Sequence, residues 1–200
     1  MPRPGPRADL LVVGLGNPGA EFERTRHNLG AEVVTRLAAR HGVNLRAEKG
    51  TRSRVGRAQV AQKLVVLAVP DTYVNESGLA VRALARRFDL REATGIVVVH
   101  DDLDLPAGRV KVKAGGGTAG HKGLESIHAH LHDDSYVRIR IGIGKPPGRQ
   151  AGADYVLRRP GRQERGELDV AEELAADAVE AVATAGVGAA MQQFNTEPVA

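Results

Sequence analysis

Apolar residues fall along this chain in short runs with two different periods. Leu10–Gly14 is a continuous apolar stretch closed by glycine, the pattern of a strand buried on both faces. Over Arg26–His41 the apolar residues return at helical spacing, with Leu29, Val33, Leu37 and Ala38 on one face and Gly42 as the stop. Ser53–Gln59 alternates and Lys63–Val69 is apolar, which predicts a hairpin or two adjacent strands ended by Pro70. Glu76–Phe88 reads as a helix with Leu79, Ala83 and Leu84 toward the core. Ile96–His100 is the most β-prone run, and Arg109–Lys113 and Tyr136–Ile143 alternate. Gly120–Leu131 predicts a helix leaving a Gly-rich loop. Gln163–Ala185 predicts a long amphipathic helix with Leu168, Ala171, Leu174, Ala178, Val179 and Val182 inward, and Ala189–Phe194 a short final one. Strands interleaved with helices give the α/β class: a single domain, with a mixed, twisted β-sheet surrounded by α-helices. There is no repeat, low-complexity block or linker, so the domain is expected over 9–195, after a disordered tail at 1–8.

Composition narrows this picture. The 200 residues suit one domain, and with 42% hydrophobic but only 3% aromatic residues the core must be aliphatic. The absence of cysteine excludes disulfides and Cys-ligated metals, and a core without staples suits a reducing cytoplasm. MPRPGPRADL has Pro and Gly where a secretory signal needs an unbroken apolar helix, and no apolar run approaches the roughly 18 residues of a membrane span. Net charge is +4 and the isoelectric point about 9.7, a weak pointer to an anionic partner such as nucleic acid.

The candidate chemistry lies at the ends of the predicted strands, where open α/β sheets place their ligand crevice. After the first strand, Gly14-x-Gly16-x-x-Gly19 fits a dinucleotide fingerprint. Pro18 sits where the fingerprint's helix should already run, and no acidic residue closes a second strand about 20 residues on, which disfavours that reading. Beside it stand two others: a plain tight turn, or a turn presenting Asn17, whose amide can recognise a peptide unit; a nucleotide-binding oxidoreductase stays open as the third function class. His27 follows at the mouth of a helix, with Thr25 in the N-cap place. The positive end of that helix favours a neutral imidazole able to accept a proton, although a surface or capping histidine fits the local sequence equally well. The apolar strand VVV runs straight into His100 and the three carboxylates Asp101, Asp102 and Asp104, which can bind a divalent metal or orient an imidazole. Pro70–Gly78 places Tyr73 and Asn75 before a helix, where Asn75 either caps it or faces the crevice. Ala114–Gly123 is dense in glycine, suited to close backbone approach or to a mobile lid.

Taken in order, GLGNPGAEFERTRHNLG, VPDTYVNESG, HDDLDLPAG and GGGTAGHKGLESI, with RIRIGIGKP further on, resemble the segments of the bacterial peptidyl-tRNA hydrolases over nearly the whole chain. The resemblance implies a monomeric cytoplasmic esterase that needs no metal or other cofactor. Its substrate would be peptidyl-tRNA, held by the acceptor stem and cleaved at the ester on the 3′ end. It assigns catalysis to His27 in TRHN and its support to Asp101 in HDDLD. It also assigns discrimination of N-blocked ends to Asn17 in GNPG, and substrate binding to Asn75 with Tyr73 beside it. Two positions depart from the family pattern: Phe22 replaces the usual Tyr, and Lys122 in GHKG replaces the usual Asn. Lys122 suits a phosphate contact, and its presence keeps open an RNA-binding relative of the same fold without hydrolysis.

On this reading His27 deprotonates a water, Asp101 orients the ring, and Asn75 or a backbone N–H donates to the oxyanion. Arg109, Lys111 and Lys113 alternate along one strand and Arg138 and Arg140 along another, while Arg82 and Arg86 share a helix face. If these sets line one crevice they make a phosphate track, with Lys113, Lys122 and Arg140 as its expected contacts.

Overall fold

The structure, a computed structural model, describes residues 6–196. Residues 1–5 of the expected tail lie outside the described residues.

Among the described residues seven strands form one sheet: β1 (Leu10–Gly14), β2 (Arg46–Glu48), β3 (Ser53–Val60), β4 (Lys63–Pro70), β5 (Ile96–Asp102), β6 (Val110–Ala114) and β7 (Val137–Gly142). Their order is β2-β3-β4-β1-β5-β7-β6. The three central pairings, β1 with β4, β1 with β5 and β5 with β7, are parallel, and the outer pairings are antiparallel. This is the mixed sheet expected from the interleaved pattern. The chain leaves β1 to build one side of the sheet and returns beside β1 to build the other. The carboxyl ends of β1, β4 and β5 therefore share a switch-point crevice.

Among the described residues six α-helices cover the sheet: α1 (Leu29–Arg40), α2 (Ser77–Arg87), α3 (Lys122–Leu131), α4 (Gly152–Val156), α5 (Arg162–Ala185) and α6 (Val187–Phe194). On one face Val12, Val97, Val99 and Ile139 pack against Leu29, Val33 and Leu37 of α1 and Leu168 and Val179 of α5. On the other, Leu11, Val13, Val66 and Val98 pack against Val81, Leu84 and Phe88 of α2 and its end, and Ile127 of α3. Successive residues of β1 thus feed opposite cores, which is why the strand reads as one unbroken apolar run.

Several expectations need correction. The helix expected from Arg26 opens as a 3-10 turn at Arg26–Asn28, and the one expected from Glu76 follows a 3-10 turn at Val74–Glu76. In α2 the inward face is Val81, Leu84 and Ala85, with Leu79 and Ala83 only half-buried. Gly78 sets that rotation: a Cβ there would lie 2.0 Å from Ser126 O on α3, so the two helix backbones nearly touch. In α5, Leu174 is 41% exposed, because the buried stripe runs through small residues, Ala171, Ala175 and Ala178.

Candidate active site

Glycine contacts bring the first helix to the site. A Cβ on Gly14 would lie 2.1 Å from Gly30 O, and one on Gly30 would lie 2.1 Å from Val99 O. Only glycine allows the start of α1 to rest directly on the backbones of β1 and β5. Arg26 fixes the turn before it: Nε and Nη2 donate to the Glu164 carboxylate (2.7 and 2.6 Å), and Nη1 donates to Tyr155 O and Arg158 O, both at 3.2 Å. Thr25 does not cap this turn; its hydroxyl donates back to Phe22 O at 2.8 Å. His27, held between these anchors, is carried over the end of β5.

There His27 Nδ1 meets the Asp101 carboxylate at 2.9 Å (Oδ1) and 3.0 Å (Oδ2). The two residues predicted to act together are in direct contact, so the surface and capping readings of His27 fall. A carboxylate only accepts, so Nδ1 carries the proton. That leaves Nε2, on the opposite side of the ring, as the basic atom, with no protein partner among the described residues. Burial pulls the His27 pKa down, but the charge and hydrogen bond of Asp101 outweigh it and leave the imidazole above its ordinary 6.5. The helix end expected to favour neutrality is thus overridden by the carboxylate. Asp101 itself is 2% exposed. Burial opposes its ionisation, yet the facing imidazoles of His27 and His121 hold it far below the ordinary carboxylate range.

His121 is the site residue that sequence reasoning missed. It stands at the N-cap of α3, where its Nδ1 accepts the Gly123 N–H at 3.1 Å. Nδ1 is therefore unprotonated, and Nε2 carries the hydrogen that Asp101 Oδ1 accepts at 3.1 Å. The only sequence signal was a histidine at the junction of a Gly-rich loop and a helix. His100, one residue before Asp101, packs its ring edge-on against His121 with centroids 5.0 Å apart; its Nδ1 donates to Asp101 O at 2.7 Å, and burial, with His121 beside it, drops its pKa to about 3. It stays neutral.

Ligand atoms of His27, Asp101 and His121 lie within 4.8 Å of one another, the donor types of a zinc site. Both nitrogens facing Asp101 carry protons, however, and a metal on His121 Nε2 requires the Gly123 bond to break. The acidic run does not converge on a metal either. Asp102 accepts from Arg140 Nε at 2.8 Å and from the Asp104 N–H at 2.8 Å, on the face opposite Asp101, and Asp104 is exposed.

A cavity of about 680 Å³ opens over this cluster. Asn17, Phe22, His27, Tyr73, Asn75, Asp101 and Lys122 all line it, as does the wall of Leu103, Val156 and Leu157. Asn17 Oδ1 accepts the Val74 N–H at 2.8 Å, which fixes the amide orientation and leaves only its NH2 donors for a ligand. Its backbone is gripped reciprocally by Asn28, at 2.8 and 3.0 Å. Asn75 is exposed to the cavity and makes no capping bond, so the capping alternative falls. Tyr73, 52% exposed, meets Phe22 edge to face at 6.2 Å. Lys122 sits on the rim with its ammonium on Glu125 at 3.0 Å.

Lys113 and Arg140 do not line this cavity. They share one face of the β6–β7 pair, where Lys111 is opposite Arg140 and Lys113 opposite Arg138. Arg138 leaves the expected phosphate track altogether: it is 3% exposed, with its guanidinium turned onto backbone carbonyls.

The sequence pattern of the peptidyl-tRNA hydrolases matches residues 11–200. The chain is 48% identical to a peptidyl-tRNA hydrolase of Nocardia farcinica over 194 residues, 97% of this chain and 98% of that one. A Mycobacterium tuberculosis protein of the same name is 46% identical over 186 residues, 93% and 97% of the two chains. The crystal structure of the Acinetobacter baumannii peptidyl-tRNA hydrolase superposes with a TM-score of 0.88 at 34% identity, covering 96% of this chain and 97% of that one. A chain that matches at this level from β1 to its end, and folds so that the four predicted segments meet in one crevice, belongs to the peptidyl-tRNA hydrolase family.

Proposed function

We propose that this chain hydrolyses the ester joining a peptide to the 3′ end of tRNA. The observation that supports it most is the His27–Asp101 pair, whose unpartnered Nε2 borders a cavity that also holds the Asn17 donors. His27 Nε2 takes a proton from water, and the hydroxide adds to the ester carbonyl carbon. Asp101 stabilises the imidazolium so formed. Asn75 donates to the developing oxyanion, a contact typically worth about 10²–10³ in rate. The bond to the 3′ oxygen then breaks, and the proton on Nε2 passes to that oxygen, giving free tRNA and a peptide acid.

Because Asn17 offers only N–H donors, it recognises a carbonyl of the last peptide unit. A free α-amino group supplies no such carbonyl, so the aminoacyl ester of tRNA is spared. Lys122 on the rim, and Lys113 and Arg140 on the β6–β7 face, supply the cations for the acceptor stem, and Phe22 and Tyr73 wall the cavity beside Asn17. The reading calls for neither metal nor cofactor and places a monomer in the cytoplasm. No helix among the described residues is long and apolar enough to cross a membrane, as that placement needs. Turnover of N-acetyl-aminoacyl-tRNA against unblocked aminoacyl-tRNA tests the proposal. The blocked ester should be cleaved and the free one spared, and equal cleavage of both, or of neither, refutes it.

A further inference from the structure

The Gly-rich loop that ends in His121 has almost nothing of its own to hold it. Gly115, Gly116, Ala119 and Gly120 all adopt positive φ, between 48° and 103°. Its backbone bonds are few: Gly115 N–H to Tyr136 O and His121 N–H to Thr118 O, both at 3.0 Å. Such a segment has many conformations of similar energy unless something outside it selects one.

That something is a buried cation. Arg138, on β7, sends Nη1 to Gly117 O and Nη2 to Gly116 O. Its guanidinium lies 5.0 Å from the centre of the Tyr136 ring, and Nη2 is 3.4 Å from His128 Nε2. No carboxylate forms an ion pair with it among the described residues, and its Nε has no hydrogen-bond partner. Burying a guanidinium without a carboxylate is costly, and two carbonyl oxygens and an aromatic face are its compensation. A planar fork reaching two successive carbonyls fixes both the position and the orientation of the peptide between them, which a point charge cannot do. Three residues beyond Thr118, the same loop delivers His121 to Asp101.

We propose that Arg138 is a positioning residue for hydrolysis: its fork sets the Gly-rich loop, and so holds His121 against Asp101. It touches neither substrate nor the reacting atoms. It acts through the loop on the second hydrogen bond to Asp101, and through Asp101 on His27. The proposal rests on the reading of His27 and Asp101 as the reacting pair.

The test compares wild type with Arg138→Met by ¹⁵N imidazole spectra and by pH-resolved kinetics on N-acetyl-aminoacyl-tRNA. Wild type should show His121 as a fixed Nε2–H tautomer. In the variant that signature should average out, kcat should fall by about tenfold as the site loosens, and KM should change little. The acid limb of kcat should also move to higher pH, because an Asp101 freed from His121 binds the His27 imidazolium more strongly. An unshifted acid limb with an intact His121 tautomer overturns the proposal. So does a rise in KM alone, which would make Arg138 a phosphate contact. If Arg138→Met does not fold, Arg138→Lys keeps the charge but not the fork and decides on the same readouts. Failure of wild type to cleave the substrate would sink the hydrolase reading, and the tautomer spectra would still report on the loop.

Discussion

Replacing Asp101 by Asn tests the engine of the site at its most buried point. The side chain keeps its size, so the glycine contacts that seat α1 on β5 are untouched. Two things are lost. One is the negative charge facing the His27 imidazolium that, on the proposed mechanism, forms as water is deprotonated. With charge centres about 4 Å apart and an effective dielectric near 20, that attraction is about 4 kcal/mol. Part of it offsets the burial of His27, which by itself pulls the imidazole pKa down. The other loss is acceptor capacity. Asp101 Oδ1 accepts from both His27 and His121, and Oδ2 from His27 again. An amide has one acceptor oxygen, and His121 cannot switch tautomer while Gly123 N–H occupies its Nδ1. A net loss of about 3–4 kcal/mol from the transition state corresponds to about 10²–10³ in kcat. The pH profile gives the sign. The base must be neutral, so the acid limb of kcat reports the His27 pKa, raised above 6.5 in wild type. Without the carboxylate only the burial contribution remains, and the limb should move to lower pH. The assay is single-turnover hydrolysis of N-acetyl-aminoacyl-tRNA across pH, with a thermal melt as control for folding. A variant within about threefold of wild type, or one whose acid limb does not move, refutes the role given to Asp101.

Three further outcomes are expected. Gly30→Ala puts a Cβ 2.1 Å from Val99 O, so α1 must shift: stability should drop by about 1–3 kcal/mol or more in a denaturant melt, and activity with it, and an unchanged melt contradicts the packing account. Asn17→Asp keeps the oxygen that accepts the Val74 N–H but replaces the free donors with an acceptor; kcat/KM on the blocked substrate should fall by about 30–150-fold, for a loss of about 2–3 kcal/mol, with little change in Tm. Glu32, between α1 and α5, has its pKa pushed up to about 8 by burial first and then by Glu172, against the pull of Arg165. The folded protein therefore holds a proton there that the unfolded chain releases near its ordinary value. Stability should fall as pH rises from about 5 to about 8, by at most about 1.4 kcal/mol per unit. Glu32→Gln should flatten that slope in melts at several pH values, and an identical slope would contradict the assignment.

The parts of the fold that were legible in the sequence are those whose pattern is set by burial alone. β1 and β5, covered by helices on both faces, stand out as unbroken aliphatic runs. β2 was invisible because it is a three-residue edge strand of Arg, Ala and Glu with little to bury. α4 was invisible because five residues among Pro and Gly carry no periodicity. The inward faces of α2 and α5 were misjudged where small residues, not large ones, make the contact, since Gly78 and the alanines of α5 let backbones approach. At the site, the convergence of His27, Asp101, Asn17 and Asn75 on one crevice was legible because strand ends and glycine turns mark them. His121 was not, because its role exists only through a contact with Asp101, 20 residues away. Of the basic residues read as alternating on two strands, Lys111, Lys113, Arg138 and Arg140 share one face, while Arg109 precedes β6 and donates to Asn195 O and Thr196 O; the pattern also contains nothing about the loop that covers Arg138.

The central claim is that His27 Nε2 removes the proton from the attacking water. Single-turnover cleavage of N-acetyl-aminoacyl-tRNA by His27→Ala at saturating enzyme, with tRNA binding measured on the same preparation, tests it most directly. The account predicts a loss of at least about 10³ in the cleavage rate with tRNA affinity nearly unchanged. A variant that still cleaves within about tenfold of wild type would contradict it.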